Sequence, residues 1–236
     1  MSDSLVIIPT YNEKENVVSM LETVMSLEFP FDILVVDDGS PDGTARLVED
    51  VAKRFPERIH LLERSGKLGL GTAYIAGFKW ALKREYQIIF EMDCDFSHDP
   101  HDLVRLRVPC AEGGAGVTVG SRYVKGGGVV NWPFFRRFMS RGASLYVNLV
   151  LWLGVKDSTA GFVAYRREVL ESIELDKVRF VGYAFQIEMK FRAKTKGYKI
   201  VEVPISFCDR VLGTSKMSLD IFNEAFLGVL KMRFQK

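Results

Sequence analysis

The chain is short of several things, and each shortage narrows what it can be. It has no charge excess: 32 basic and 30 acidic side chains leave a formal net charge of +2 over 236 residues. A nucleic-acid binder carries a strong basic surplus, so no nucleic-acid partner is expected. It has only three cysteines, Cys94, Cys110 and Cys208, with no close pair among them. That argues against a disulfide scaffold or a cysteine zinc site and fits thiols in a reducing compartment. Its three histidines, His60, His98 and His101, have no metal-ligand spacing with those cysteines and read as structural or surface residues. No segment reaches the roughly 20 apolar residues needed to span a bilayer. Leu5 to Pro9 is too short an apolar run for a signal peptide and lacks the basic flank. The expectation is a cytoplasmic protein, unless something else holds it at a membrane.

What is present is a core and a rhythm. Hydrophobic residues make up 47% of the chain, with 17 Phe, ample for a packed interior. Leu5 to Ile8, Ile33 to Val36, Ile59 to Leu62, Tyr86 to Met92 and Val117 to Gly120 are short apolar runs that read as buried strands. Helical patterns separate them, through Val17 to Leu27, Leu47 to Val51 with Asp42 as cap, Ala73 to Leu82, and the stretch after Pro100. Strands alternating with helices predict an α/β fold, an open and mostly parallel sheet with helices on both faces. The second half is less regular. Helices are expected over Phe134 to Leu153, Glu168 to Ile173, Tyr183 to Thr195 and Leu219 to Phe234. Ile200 to Phe207 reads as a strand whose Pro204 asks for an edge position or a bulge.

In such sheets ligands bind beyond the carboxyl ends of the strands. Three polar turns follow strands here: Pro9-Thr10-Tyr11, Asp37-Asp38-Gly39 and Asp93-Cys94-Asp95. The last is the sharpest. Two carboxylates one residue apart at the end of a buried strand are costly unless paired or bound to a cation, and a divalent metal carrying a diphosphate compensates both. The alternative is a solvated loop, weakened by the second acidic turn, since acidic turns crowded at one edge repel each other. Gly66 to Gly71 matches neither a dinucleotide fingerprint nor a P-loop. It is either a flexible loop before a helix or a helix amino end which, with Lys67, faces phosphates. Arg122, Lys125, Arg136, Arg137 and Arg141 flank the triple glycine Gly126 to Gly128 and open an apolar helix. They are either a solvated face or a seat for a lipid phosphate. The apolar residues Leu145 to Val155, and Phe222, Phe226, Val229 and Leu230, are either core or a surface for a bilayer.

These strings together resemble the dolichol-phosphate (polyprenol-phosphate) mannosyltransferases of glycosyltransferase family 2, which have a GT-A, Rossmann-like fold. The matching segments are Ile8 to Glu13 (IPTYNE), Val36 to Thr44 (VDDGSPDGT), Gly69 to Phe78 (GLGTAYIAGF), Met92 to Pro100 (MDCDFSHDP), Gly120 to Pro133 (GSRYVKGGGVVNWP), Gly182 to Met189 (GYAFQIEM), and Val203 to Met217 with Arg210 and Ser215-Lys216. They cover nearly the whole chain. A single GT-A domain over 1–236 is expected, with a nucleotide-sugar half to about residue 120, then an acceptor half ending in an amphipathic helix.

The resemblance implies an inverting, Mg2+- or Mn2+-dependent enzyme that moves mannose from GDP-mannose to a polyprenyl phosphate at the cytoplasmic face of a membrane. It implies that Pro9, Tyr11, Glu13, Val36 and Asp38 hold the nucleoside. Asp93, Cys94 and Asp95 would line the diphosphate, with Asp95 the main metal ligand, Asp93 and Ser97 beside it. Arg122, Arg136 and Ser140 would hold the acceptor phosphate, Arg122 reaching the donor as well, and Arg210 and Lys216 would close over the donor phosphates. Asp95, Arg122 and Arg136 are the expected catalytic residues. The resemblance also allows for a small membrane-anchoring subunit or a separate membrane protein as partner. The chain departs from the family's pattern at Cys94, usually Ala; at Ser97, where some relatives have Gln; and at Thr159 to Val163, where Ser-Gly-Phe-Arg is commoner. The rival readings are a family 2 transferase using another donor such as UDP-glucose, and a non-catalytic sugar-nucleotide-binding subunit.

Overall fold

A computed structural model describes residues 2–209 and 228–234, apart from the side chain of Tyr183. Arg210, Lys216, Phe222 and Phe226 lie outside the described residues. The chain runs β1 (Ser4–Thr10), α1 (Val17–Met25), β2 (Asp32–Asp37), α2 (Thr44–Ala52), β3 (Ile59–Glu63), α3 (Leu70–Leu82), β4 (Ile88–Glu91), α4 (Asp102–Ala111), β5 (Val117–Ser121), β6 (Gly128–Val130), α5 (Phe134–Leu151), β7 (Val163–Arg166), α6 (Arg167–Ser172), a 3-10 turn (Leu175–Lys177), α7 (Tyr183–Thr195), β8 (Ile200–Pro204) and β9 (Ser206–Cys208). Residues 228–234 form a last helical stretch, α8.

Seven strands form one sheet in the order β3-β2-β1-β4-β7-β5-β8. All are parallel except β7, which runs antiparallel to both β4 and β5. β2 is buried at every residue and β1 at all but Pro9, as a sheet covered on both faces requires. Alternate side chains supply two cores. Leu5, Ile7, Leu34 and Val36 pack under α3, α6 and α7, with Tyr74, Phe78, Leu170 and Phe185. Val6, Ile8, Ile33 and Val35 pack under α1, α2 and α4, with Met20, Val24, Val48 and Leu106. The α3 helix sits so close to β1 that a Cβ on Gly77 would meet Ile7 at 2.7 Å, which accounts for a glycine in mid-helix.

The expected strand over Ile200 to Phe207 is two strands. β8 ends at Pro204 on the sheet's edge, and beyond Ile205 the chain pairs as β9 with β6 in a small separate sheet. Proline donates no ladder bond, so the break falls beside it. β7 had no sequence signal of its own: four residues are too short to show a period.

The apolar end of α5 divides between core and surface. Val147 and Leu151, with Leu153 and Val155 beyond, pack against Ala184, Ile187, Val229 and Met232. Leu145, Leu149 and Trp152 stay exposed. In α8, Val229 is buried while Leu230 is exposed, so core and surface divide there as well.

Candidate active site

From β1 the chain runs out one way to β2 and β3, whereas β4 lies on its other side, so a crevice opens at their carboxyl ends. The Asp-Cys-Asp turn stands there. Continuing the strand's alternation, Cys94 turns into the core among Phe90, Met92 and Phe162. Burial pushes its thiol well above the usual value, so it is protonated, and any contact with a diphosphate belongs to its backbone. Cys94→Ala should leave transfer within about twofold of the parent and cost about 1 kcal/mol of stability, read by initial rates and urea unfolding.

Asp93 and Asp95 occupy the other side of the turn. The Tyr74 hydroxyl, fully buried in α3, reaches Asp93 Oδ1 at 3.5 Å. Asp95 Oδ1 accepts the Ser97 N–H at 3.0 Å, and the Ser97 hydroxyl donates to the same oxygen. No group of three or more His, Cys, Asp and Glu gathers around a metal-sized space among the described residues. Two carboxylates and a hydroxyl fit a hard divalent cation whose other ligands are diphosphate oxygens and water, the usual habit of Mg2+ and its like.

The second acidic turn does not need that cation. Asp37 is fully buried and takes the Thr10 hydroxyl at 2.8 Å and the Ser40 N–H at 2.8 Å. Asp38 pairs with Arg64 at 2.7 Å, and Arg64 donates on to Thr72 in α3. The mutual repulsion expected of these turns is therefore relieved within the protein, and Arg64 is a partner of the second turn that no motif signalled.

Other residues expected to hold the sugar nucleotide gather on the same edge. Lys67 Nζ lies 5.2 Å from the centre of the Tyr11 ring. Glu13 ties the loop after β1 to α2 through its N–H to Thr44 and accepts a bond from Asn16. Pro9 is half-buried at the end of β1, and Val36 is buried, so Val36 presents backbone only.

Across the crevice, Arg122 follows β5. Its backbone N–H, Nε and Nη2 donate to Asp157 at 2.9, 2.7 and 2.6 Å, and Nη2 also reaches Thr159 at 3.0 Å. Asp157 is fully buried and donates its own N–H to Glu202. Arg122 is thus a buried, neutralised guanidinium fixed in direction, not an unmatched cation. Asp157 is another residue that sequence reasoning missed: a lone acid in a loop carries no pattern.

Trp132 gathers the rest. Arg136 lies over its ring at 4.0 Å and Arg122 at 5.3 Å. The Tyr123 hydroxyl donates to Ser140 at 2.7 Å, and Arg141 lies over the Tyr123 ring. Arg137 turns away to the Val129 carbonyl. His98 stacks on Phe162 and meets Phe207 edge-on, and Phe207 in turn meets Trp132. Burial pushes the His98 imidazole down to about 4, so it is neutral. A row of rings therefore runs from beside the carboxylate turn to the arginines.

Beneath lies a buried polar bridge. Gln186 donates to Glu91 at 2.5 Å, and Lys190 donates to Gln186 Oε1 and to the Ala160 carbonyl. Burial raises Glu91 and lowers Lys190. Glu91 leads into the Asp-Cys-Asp turn and Ala160 follows Asp157, so the bridge links the two halves of the site from below.

An open, mostly parallel sheet carrying an Asp-x-Asp turn at its carboxyl edge is the GT-A arrangement of sugar-nucleotide transferases. The chain belongs to glycosyl transferase family 2, whose model matches residues 5–174. It is 49% identical to a polyprenol monophosphomannose synthase of Mycolicibacterium smegmatis, over 96% of this chain and 85% of that one. It is 47% identical to an undecaprenyl-phosphate mannosyltransferase of Micrococcus luteus, over 96% and 92%. Among solved structures it is similar to a mannosyltransferase of Pyrobaculum calidifontis in complex with GDP-Man and Mn2+, with a TM-score of 0.63 and 16% identity, over 98% of this chain and 69% of that one. It is also similar to the glucosyl-3-phosphoglycerate synthase of Mycobacterium tuberculosis in complex with Mn2+, UDP-glucose and glycerol 3-phosphate, with a TM-score of 0.68 and 18% identity, over 99% of this chain and 80% of that one.

Proposed function

We propose that this chain transfers mannose from GDP-mannose to a polyprenyl phosphate, giving a polyprenyl-phosphate β-mannose with inversion at the anomeric carbon. The observation that carries this reading is the near full-length similarity to two relatives named for mannosylating a polyprenyl phosphate. The site supports it chemically. A phosphate monoester is largely dianionic near neutral pH, its second pKa being about 6, so it attacks without a strong general base. The task left to the protein is to bring two anions together and to stabilise the departing diphosphate. Arg122, held by Asp157, and Arg136, held over Trp132, orient the acceptor phosphate and offset its charge. Ser140 adds a hydroxyl beside them. Tyr11, Lys67 and the turn at Asp93 and Asp95 receive the sugar nucleotide on the opposite wall, with Arg210 and Lys216 assigned to its phosphates. A Mg2+ or Mn2+ ion held by Asp93, Asp95 and Ser97 would supply charge neutralisation to the leaving GDP.

The test is direct. Protein incubated with radiolabelled GDP-mannose, Mg2+ or Mn2+ and a polyprenyl phosphate should yield chloroform-soluble label, and none without the lipid. Label from UDP-glucose but not from GDP-mannose would overturn the donor assignment.

The lipid substrate requires contact with a membrane surface, and α5 supports it. No described helix is long and apolar enough to cross a membrane. On α5, however, Phe134, Phe138, Leu145 and Leu149 fall on one exposed face, with Phe135 beside them and Trp152 just beyond, and Arg137 and Arg141 alongside. Exposed apolar surface flanked by arginines is what a helix lying in an anionic lipid interface shows. We place the protein peripherally on the cytoplasmic face, a reading that the exposed free thiol of Cys208 supports. The double variant Phe138→Asp, Leu149→Asp should lose more than about tenfold in binding to phosphatidylglycerol vesicles, since each buried side chain contributes about 1.5–3 kcal/mol. Flotation measures it, and unchanged binding would exclude α5 as the contact.

A further inference from the structure

The two arginines assigned to the acceptor phosphate are paired in different ways. The Arg122–Asp157 pair is sealed, with side chains 9% and 0% exposed. Arg136 donates through Nη1 to both oxygens of Asp209, at 2.8 and 2.7 Å, and these side chains are 37% and 38% exposed. Opening the sealed pair would strand a buried charge. Opening the half-exposed pair strands nothing, because water solvates both partners. Meanwhile the Trp132 ring supports the Arg136 guanidinium from one side, a contact that does not depend on which anion the arginine holds. A carboxylate on a guanidinium presents two anionic oxygens, much as one edge of a phosphate does.

We infer that Asp209 is an internal competitor at the acceptor site, one that sets how tightly any phosphate must bind to occupy it: its carboxylate holds Arg136 until a phosphate monoester displaces it. The inference rests on the proposed assignment of Arg136 to the acceptor phosphate. Its consequence follows from charge. A polyprenyl phosphate monoester brings close to two negative charges and outcompetes the single charge of Asp209. A phosphodiester brings only one and gains no such advantage. The bilayer around the enzyme is made of phosphodiester lipids, so Asp209 keeps them off Arg136. The product of transfer is also a phosphodiester: as the new bond to the sugar forms and GDP departs, the acceptor phosphate drops to one negative charge. Asp209 then competes for Arg136 again, which favours release.

The experiment compares the parent enzyme, Asp209→Asn, Arg136→Gln and the double variant in detergent micelles. Polyprenyl phosphate is varied at saturating GDP-mannose, with phosphatidylglycerol added as the competing diester. For Asp209→Asn the acceptor KM should fall roughly threefold to tenfold, the worth of a half-exposed charge pair plus the repulsion it removes. Inhibition by phosphatidylglycerol should strengthen by a similar factor, while the KM for GDP-mannose stays put. In the Arg136→Gln background, Asp209→Asn should change neither quantity. The unfolding midpoint of Asp209→Asn should stay within about 4 °C of the parent, as expected for an exposed pair. An acceptor KM that is unchanged or higher, with diester inhibition unchanged, would overturn the inference while leaving the proposed reaction standing. If Arg136→Gln itself leaves the acceptor KM untouched, the assignment of Arg136 fails, and the role of Asp209 fails with it.

Discussion

Asp95→Ala should lower mannose transfer by about a thousandfold, with the loss persisting at saturating GDP-mannose. A cation on the leaving diphosphate is worth several kcal/mol of transition-state stabilisation, and each 1.4 kcal/mol is a factor of ten in rate. The carboxylate stands at the crevice edge, oriented by two bonds from Ser97 to one oxygen. Removing it deprives the Ser97 N–H of its acceptor, which costs about 1–3 kcal/mol of stability. Initial rates and thermal unfolding together separate the two effects: a thousandfold loss of rate with the fold retained places Asp95 in the reaction. Retention of more than a tenth of the parent rate would remove it from the metal site.

The second large effect concerns Arg122 and Asp157. Either single truncation leaves a buried charge without its partner, which costs about 3–5 kcal/mol. Asp157→Ala should therefore destabilise the protein as severely as Arg122→Ala, although by our reading only the arginine faces substrate. The double variant Arg122→Met, Asp157→Leu restores the balance with apolar groups and should recover most of the stability. It should not recover transfer, which stays about a hundredfold or more below the parent, because the acceptor phosphate has lost an oriented cation. Urea unfolding and initial rates read both quantities. Recovery of transfer together with stability would show that Arg122 serves the fold alone.

Much of this is legible in the sequence. The strand–helix alternation announced the sheet, because a strand covered on both faces must be apolar throughout, as in Ile33 to Val36. The carboxylates of Asp93 and Asp95 were conspicuous because charge at the end of such a strand needs a reason. What stayed hidden were the partners. β7 is four residues long and antiparallel among parallel neighbours, and no local rule marks such an insertion. Asp157, Arg64 and Asp209 are ordinary residues in loops, far in sequence from the charges they pair with, and Trp132 carries no pattern that marks it as a support for Arg136. The acidic turn at Asp37 and Asp38 illustrates the limit: read in sequence it repels its neighbours, but folded it is satisfied by Thr10, Ser40 and Arg64.

The sequence by itself determined the class of fold and placed the carboxylates of Asp93 and Asp95 at the end of a buried strand, because periodicity and strand-end charge are local properties. The tertiary structure alone decided which charges are already matched. It sealed Arg122 against Asp157, left Arg136 on a half-exposed Asp209, turned the Cys94 thiol into the core and set one face of α5 in the open. Those outcomes depend on burial and on contacts between distant segments, and the cost of a charge is set by what surrounds it in space.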